Sequence, residues 1–516
     1  MLQGKRLLLL CLSALALFGM VTLAVATRRG IGLSADSVAY INGARHFLDG
    51  YGLRLSPDPG PENLMIIQAP LYPLLLSALA FSGIDILVVA RWFNILLFGL
   101  NIVLIGLLIY RHTRGIYVSL LGSWLALTSV TVIRMHGEAA TEALFISLTL
   151  SGLFFLALHL ERPSKPFLIG AAIAIGLAAI TRYVGVVLIA TAVLGILVHR
   201  RSWHQRARDS AIFVAISSLP PGIWFVRNFL LAGSATAREM GYHPMTVRNV
   251  QQAIYTVGGW LLPLFVPKVL GMILGIATLY LLFITLTYGL RKNAFVSLRK
   301  TLFAQPFPSL LAIFVLLYIP FLLITRFFVD AETLLNDRIL LPAQMAVLIG
   351  GLSSIPSILR QTEGRYSIPF TAIALAIVLS VSHLLNGAAW VMESYQEGLG
   401  FASATWQESE AIAHVKQLPR DTLIISNGAD IIYILTGKTA YFSPQEIEPT
   451  ALIVNEAYAA DLERLKAQAA ERQVVVVYLD NVDWRWYLAS EEELREDLPL
   501  QPLFEAKDGT IYRVIP

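Results

Sequence analysis

LLLLCLSALALFGMVTLAVA, residues 7–26, is a run of twenty residues without a single charge. As a helix it is long enough to cross the roughly 30 Å hydrocarbon core of a bilayer. Ala24-Val25-Ala26 also has the small-x-small form of a leader cleavage site, but the run exceeds the usual leader core of about 7 to 15 apolar residues, so an uncleaved anchor is expected. Comparable runs follow at 86–110, 116–134, 140–160, 167–181, 183–199, 210–231, 257–289, 308–325, 339–359 and 367–391, giving about eleven spans. Over 516 residues the chain is 56% hydrophobic and 14% charged, with a mean hydropathy of +0.65. A soluble chain would carry about 25% charged residues, so a single soluble core is excluded.

Basic clusters recur in short connectors: Lys5-Arg6, Arg111 with Arg114, Arg162 with Lys165, Arg200 through Arg208, Arg291 through Lys300, and Arg360 with Arg365. Such clusters mark the cytoplasmic side, which puts the N-terminus inside and the C-terminus outside; Arg28-Arg29 is the one local pair against this pattern. The net charge of +4 and pI near 9.0 come from these connectors and imply no nucleic-acid partner. Cys11 is the one cysteine, so neither an intrachain disulfide nor a cysteine-rich metal site is available. The apolar stretch 70–81 is too short to span and reads as an interfacial helix inside a first outer loop of residues 27–85.

From about Tyr395 the composition becomes that of a soluble domain. A short buried strand is expected at 423–426, a charged amphipathic helix at 461–472, a β-branched strand at 474–479 and a last strand at 511–515. The expected organisation is a polytopic α-helical membrane domain, 1–394, followed by an extracytoplasmic α/β domain, 395–516, with no phosphate-binding glycine loop.

Ionisable groups near the membrane are costly and therefore mark candidate sites. Asp36 follows the first span, and helical spacing would put Tyr40 on its face; on local sequence alone, Ser34, Asp36 and Ser37 read more readily as caps of a helix over 38–48. Glu142, and less firmly Glu138 and His136, stand at the outer mouth of another span, where an acid also suits a helix N-terminus. His136 has no companion histidine at zinc-ligand spacing. Arg182 and Arg338 lie at outer span ends, where snorkelling alone could place them. Arg91 could pair with Asp85 or an acid of the first loop, and Trp224, Trp260 and Trp390 read as interfacial belt residues.

The order of these motifs matters more than any one of them. It runs from Asp36-Ser37 through Ala69-Pro70-Leu71-Tyr72-Pro73, Arg91, Thr141-Glu142-Ala143-Leu144-Phe145, Thr181-Arg182-Tyr183 and Trp224 with Arg227-Asn228 to Asp337-Arg338-Ile339-Leu340-Leu341-Pro342. Over most of its length the chain resembles the GT-C superfamily of polyprenyl-phosphate-sugar glycosyltransferases, which includes protein O-mannosyltransferases and the lipid A aminoarabinose transferase. The resemblance implies an inverting transfer of sugar from a polyprenyl-phosphate carrier to a lipid, glycan or protein acceptor at the outer face. It implies Asp36 as general base, Arg182 and Arg338 on the carrier phosphate, and Tyr40, Glu142 and Tyr72 toward the substrates. Members often carry two acidic residues adjacent or one apart, whereas Asp36 is followed by Ser37 and Val38. No cofactor is therefore expected, and a divalent metal has no evident ligand set. The competing classes are a multi-pass transporter, which would show midplane charges and matched repeats, and a non-catalytic membrane protein with a carbohydrate-binding outer domain.

Overall fold

The opening apolar run forms helix α1 (Leu2–Ala26), packed along α4 (Ile86–Thr113). In this computed structural model the described residues are 2–56, 63–200, 202–238, 240–260, 269–270, 272–273, 276–277, 280, 305–331, 333–361, 367–449 and 452–515. Between α1 and α4 the chain makes two short helices, α2 (Ala35–Leu48) and α3 (Leu71–Ala80), the second at the place expected for an interfacial helix. Then follow α5 (Ile116–Thr128), α6 (Val130–Gly137), α7 (Glu142–Glu161), α8 (Lys165–Ala179), α9 (Val186–His199), α10 (Trp203–Ser217) and α11 (Leu219–Ala232). The set ends with α12 (Val247–Gly259), α13 (Pro306–Phe328), α14 (Asp337–Gln361) and α15 (Ser367–Glu397).

Five of these helices are long and apolar enough to cross a membrane, and up to seven do so if two bent pairs each count as one span. The chain is an integral membrane protein. Two expected spans are broken for local reasons. The stretch 116–134 bends by 57° between α5 and α6, where Thr128 turns its hydroxyl back onto the Trp124 carbonyl and Ser129 is extended; such back-bonding bends helices. The stretch 210–231 bends by 44° where Pro220-Pro221 enter α11, because proline supplies no N–H to continue α10. The expected spans 167–181 and 183–199 are short apolar helices, and 257–289 lies largely outside the described residues.

Arg28 and Arg29, the pair that runs against the charge pattern, have a specific employment. Their Nε atoms donate to the carbonyls of Tyr395 (2.9 Å) and Gln396 (2.8 Å) at the C-terminal end of α15, and the Arg28 guanidinium lies over the Tyr395 ring. Cations are favoured at a helix C-terminus, where carbonyls lack partners.

The tail forms a five-stranded sheet in the order β2-β1-β5-β7-β6, built from β1 (Leu423–Ser426), β2 (Ala440–Phe442), β5 (Val474–Leu479), β6 (Leu500–Ala506) and β7 (Gly509–Val514). A separate antiparallel pair joins β3 (Ile447–Glu448) to β4 (Ile453–Val454). β1 runs parallel to both β2 and β5, and β7 runs antiparallel to β5 and β6. The expected strands at 423–426, 474–479 and 511–515 are present. β6 was not expected from the sequence, because Pro502 interrupts its pattern; it sits at the sheet edge, where proline is tolerated.

This tail is joined to the membrane part through the loop after α1. Leu33 bridges Gly400, the Phe401 N–H donates to the Leu33 carbonyl at 2.9 Å, and the helix Ala429–Thr436 packs on α2. Gly400 has φ +54°, and a Cβ there would run into the Leu33 carbonyl. Gly400→Ala is expected to cost more than the roughly 1–2 kcal/mol of left-handed strain and to speed proteolysis near residue 400. Gly437→Ala, at φ +70° with open space around it, is the control carrying strain alone. Equal thermal destabilisation of the two variants would contradict this reading of the junction.

Candidate active site

Asp36 lies in the first turn of α2, but the cap of that helix is Ser34, whose side chain accepts from the Ser37 N–H. The Asp36 carboxylate is thus left over from capping and turns to Arg338, whose Nη1 lies 2.7 Å from Asp36 Oδ2. Arg338 opens α14, and its Nε donates to Glu142 Oε1 at the start of α7. The same carboxylate oxygen accepts from Nη1 of Arg182, in the turn after α8, and that Nη1 also contacts Thr141 Oγ1 at 3.3 Å. Asp36, Glu142, Arg182 and Arg338 come from four segments of the chain and form one chain of ion pairs.

The loops that carry these groups are braced by backbone pairing and by asparagines inside α4. The Gly32 N–H donates to the Gly137 carbonyl and the Ala139 N–H to the Gly32 carbonyl, both at 2.8 Å, which fixes the Asp36 loop against the segment entering α7. Asn94 and Asn101, two helical turns apart and fully buried, donate to the carbonyls of Glu138 and Ala143. Ser147 in turn donates to Asn101 Oδ1 at 2.7 Å. Buried amides of this kind persist only when satisfied, and here they hold an irregular segment within the membrane domain. The expected turn at Ala69-Pro70 docks at the same end: the Leu71 N–H donates to the Ile180 carbonyl, just before Thr181-Arg182.

The four charged groups differ in exposure, and the difference sorts their roles. The Glu142 side chain is 1% exposed, those of Arg182 and Arg338 are 14% and 26%, and that of Asp36 is 42%. A buried carboxylate is tolerated only when paired and hydrogen-bonded. Glu142 thus acts as an internal tie between two guanidiniums, while Asp36 is the acid open to an incoming group.

Two tyrosines underlie the cluster. Tyr40 meets Tyr72 edge-on at 5.7 Å, and Tyr72 donates from its hydroxyl to Asn94 Oδ1 at 3.2 Å. Tyr72, expected to touch substrate, is fully buried in this arrangement and packs beneath Tyr40. Burial, reinforced by the Asp36 carboxylate, pushes the Tyr40 hydroxyl above its ordinary range, so it stays a neutral hydrogen-bonding group. Glu138 lies close enough to sense Asp36 and Arg338; burial raises its carboxyl pKa, opposed by Arg134.

Several other motif residues hold the site without entering it. Trp224, expected in an interfacial belt, is buried, and its indole N–H donates to the Tyr183 hydroxyl at 2.8 Å. That hydroxyl donates in turn toward the carbonyls of Ile66 and Gln68. Arg227 contacts the carbonyls of Met65 and Leu53, stapling the first loop. Arg91 binds Thr27 Oγ1 and the Ala24 carbonyl rather than Asp85, which caps α4. His136 is buried, with Nδ1 toward the Val132 carbonyl and Nε2 toward Asn101. Among the described residues, no group of three or more His, Cys, Asp or Glu side chains is placed to hold a metal ion.

Removing the Glu142 charge leaves two guanidiniums facing each other without their shared counter-ion. Glu142→Gln is expected to lower unfolding stability by about 3–5 kcal/mol, whereas Asp36→Asn, in a half-exposed pair, should cost about 1 kcal/mol or less. Thermal unfolding of the purified variants checks this ranking, and a reversed order would contradict it.

No protein-family model and no curated protein sequence matches the chain. Solved structures do. The chain is similar to ArnT from Cupriavidus metallidurans in the apo state, with a TM-score of 0.57 and 13% identity over 97% of both chains. It is similar to the same protein bound to undecaprenyl phosphate, with a TM-score of 0.54, 12% identity and again 97% of both chains covered. A third similar structure is the archaeal oligosaccharyltransferase AglB from Archaeoglobus fulgidus in complex with an inhibitory peptide and a dolichol-phosphate, with a TM-score of 0.54 and 12% identity over 99% of this chain and 74% of that one. The four-segment charged cluster at one end of a helical bundle with a small α/β tail is thus set in a fold shared with these solved structures.

Proposed function

We propose that the chain is an inverting glycosyltransferase that moves a sugar from a polyprenyl-phosphate carrier to an acceptor at the extracytoplasmic membrane face. The observation that carries this reading is the ion-paired chain Asp36–Arg338–Glu142–Arg182, with the exposed carboxylate at one end and two arginines beside it. The undecaprenyl phosphate and dolichol-phosphate held by the similar structures support a lipid-phosphate donor. A transporter would place its ionisable groups near the midplane of the bundle, whereas these gather where α2, α7 and α14 begin and α8 ends.

In this reading the acceptor hydroxyl docks against Asp36, which takes its proton as the oxygen attacks the anomeric carbon, and the carrier phosphate leaves from the opposite face of the sugar. Before the reaction the two carboxylates balance the two guanidiniums. Once Asp36 is protonated, the charge of Arg338 is no longer matched by it and becomes available to the phosphate as that group gains negative charge. Arg182, tied to the same Glu142 oxygen, assists in orienting the phosphate. Tyr40 lines the donor side, and Tyr72 and Glu142 hold Tyr40 and the arginines in place. Residues 395–516 form an accessory outer domain braced on the loop that carries Asp36; residues 1–394 carry the reaction.

Transfer from a synthetic polyprenyl-phosphate sugar by the purified chain tests the assignment. Asp36→Asn is expected to reduce turnover by about 10²- to 10⁴-fold while carrier binding is largely kept. Full activity in this variant would remove Asp36 from the role of base.

A further inference from the structure

The sheet of the tail has a crevice of its own, apart from the charged cluster. The chain leaves β1 into the helix Ala429–Thr436, on the face that includes Ile424 and Val475. It leaves β2 and β5 toward the helices Tyr458–Glu471 and Glu491–Asp497, which pack on the opposite face with Leu423 and Val474. Neighbouring parallel strands whose connections depart to opposite faces open a crevice at their carboxyl ends, the usual place for a ligand in such sheets. Here that edge is formed by Asn427, Ser443 and Asp480, the residues that follow β1, β2 and β5.

Every exposed aromatic side chain in the described part of the tail stands on β2 or in the loop after β5: Tyr441, Phe442, Trp484 and Trp486, each 42–54% exposed. Apolar groups gathered in the open at one place mark a binding surface. They are held from behind. Arg485, between the two tryptophans, is buried; its Nη1 donates to the Asn427 carbonyl at 2.6 Å and its Nη2 to Asp430 Oδ2 at 2.7 Å. The same guanidinium lies 4.8 Å from the centre of the Phe442 ring and 5.8 Å from the centre of a Trp484 ring. Asn427 bonds the Leu479 backbone through both ends of its amide, which ties the loop after β1 to the end of β5.

The chemistry of this edge selects among occupants. Residues 395–516 hold twenty Asp and Glu against ten Lys and Arg, and Arg485 is spent on Asp430, so an anion is repelled. A cation is drawn to a bare aromatic face, but a guanidinium already lies against Phe442 and Trp484 and repels a second one. A bilayer would have to take in Asp480, Asn481 and Asp483, all exposed in the same loop, at the cost of desolvating two carboxylates. A neutral polyhydroxylated ring meets every condition. Its C–H face packs on an aromatic ring, and its hydroxyls donate to carboxylates, which only accept. We propose that the carboxyl edge of β2, β1 and β5 is a carbohydrate-binding site, with Phe442 and Trp484 as stacking surfaces and Asp480 and Asp483 as acceptors for sugar hydroxyls. Its occupancy does not require sugar transfer at Asp36, so the two readings can fail separately.

The test titrates the purified full-length chain, in a zwitterionic detergent without a sugar head group, with cellohexaose, chitohexaose and mannohexaose, and with hexalysine as a cationic probe, by calorimetry. At least one oligosaccharide is expected to bind, and Trp484→Ala to weaken it by about tenfold or more, the usual cost of truncating an aromatic anchor. Asp483→Asn, at an exposed position, should weaken the same binding several-fold and leave the unfolding temperature unchanged, so the site can be tested even if Trp484→Ala folds poorly. Trp203→Ala, exposed on α10, should change nothing. Failure of all three oligosaccharides to bind overturns the proposal, and so does hexalysine binding more tightly than any of them. Oligosaccharide binding that survives both Trp484→Ala and Asp483→Asn overturns its placement at this edge. In nanodiscs of brominated phosphatidylcholine, tryptophan quenching that is lost in Trp484→Ala would assign the edge to the bilayer and overturn the proposal as well.

Discussion

Glu142 is the point on which the charged end of this molecule depends. Its carboxylate is removed from water and held by two guanidiniums that arrive from opposite directions in the sequence, Arg182 after α8 and Arg338 at the start of α14. Neither arginine could sit where it does without that buried acid, and the acid could not stay ionised there without them. Asp36 then joins as a further carboxylate on Arg338, on the exposed side. The result is a tie with one end open to solvent.

The rest of the fold can be understood as support for that tie. The buried asparagines of α4 hold the segment before α7, and the paired backbones of Gly32 and residues 137–139 hold the Asp36 loop beside it. The Tyr183–Trp224 hydrogen bond and Arg227 pin the first loop from the other side. Arg28 and Arg29 fasten the end of α15, and Gly400 then lets the tail approach Leu33 closely enough to bond its carbonyl. The C-terminal sheet domain is therefore joined to the loop that presents Asp36, and disturbance at the junction should be felt at the site.

Much of this was legible in the sequence because two strong physical rules apply to membrane chains. Apolar length marked the long helices, and the cost of charge near a bilayer marked Asp36, Glu142, Arg182 and Arg338, which the structure brings together. What escaped was decided by contacts between distant segments. Trp224 and Arg91 have the local character of interfacial residues, and only the packed structure shows their partners at Tyr183 and Thr27. The breaks at Ser129 and before Pro220 lie within runs whose hydropathy alone reads as continuous. The cap competition at α2 was likewise invisible, since Ser34 and Asp36 are both good caps and geometry chose Ser34.

The claim at the centre is a single in-line displacement, with one open carboxylate taking a proton and two arginines receiving the leaving phosphate. Its most direct measurement is the anomeric configuration of the transferred sugar. A polyprenyl-phosphate sugar of defined anomeric configuration, incubated with the purified chain and its acceptor, gives a product whose linkage proton NMR can assign. Inversion at the anomeric carbon is the expected result. A product that retains the donor configuration would contradict a one-step transfer with Asp36 as base.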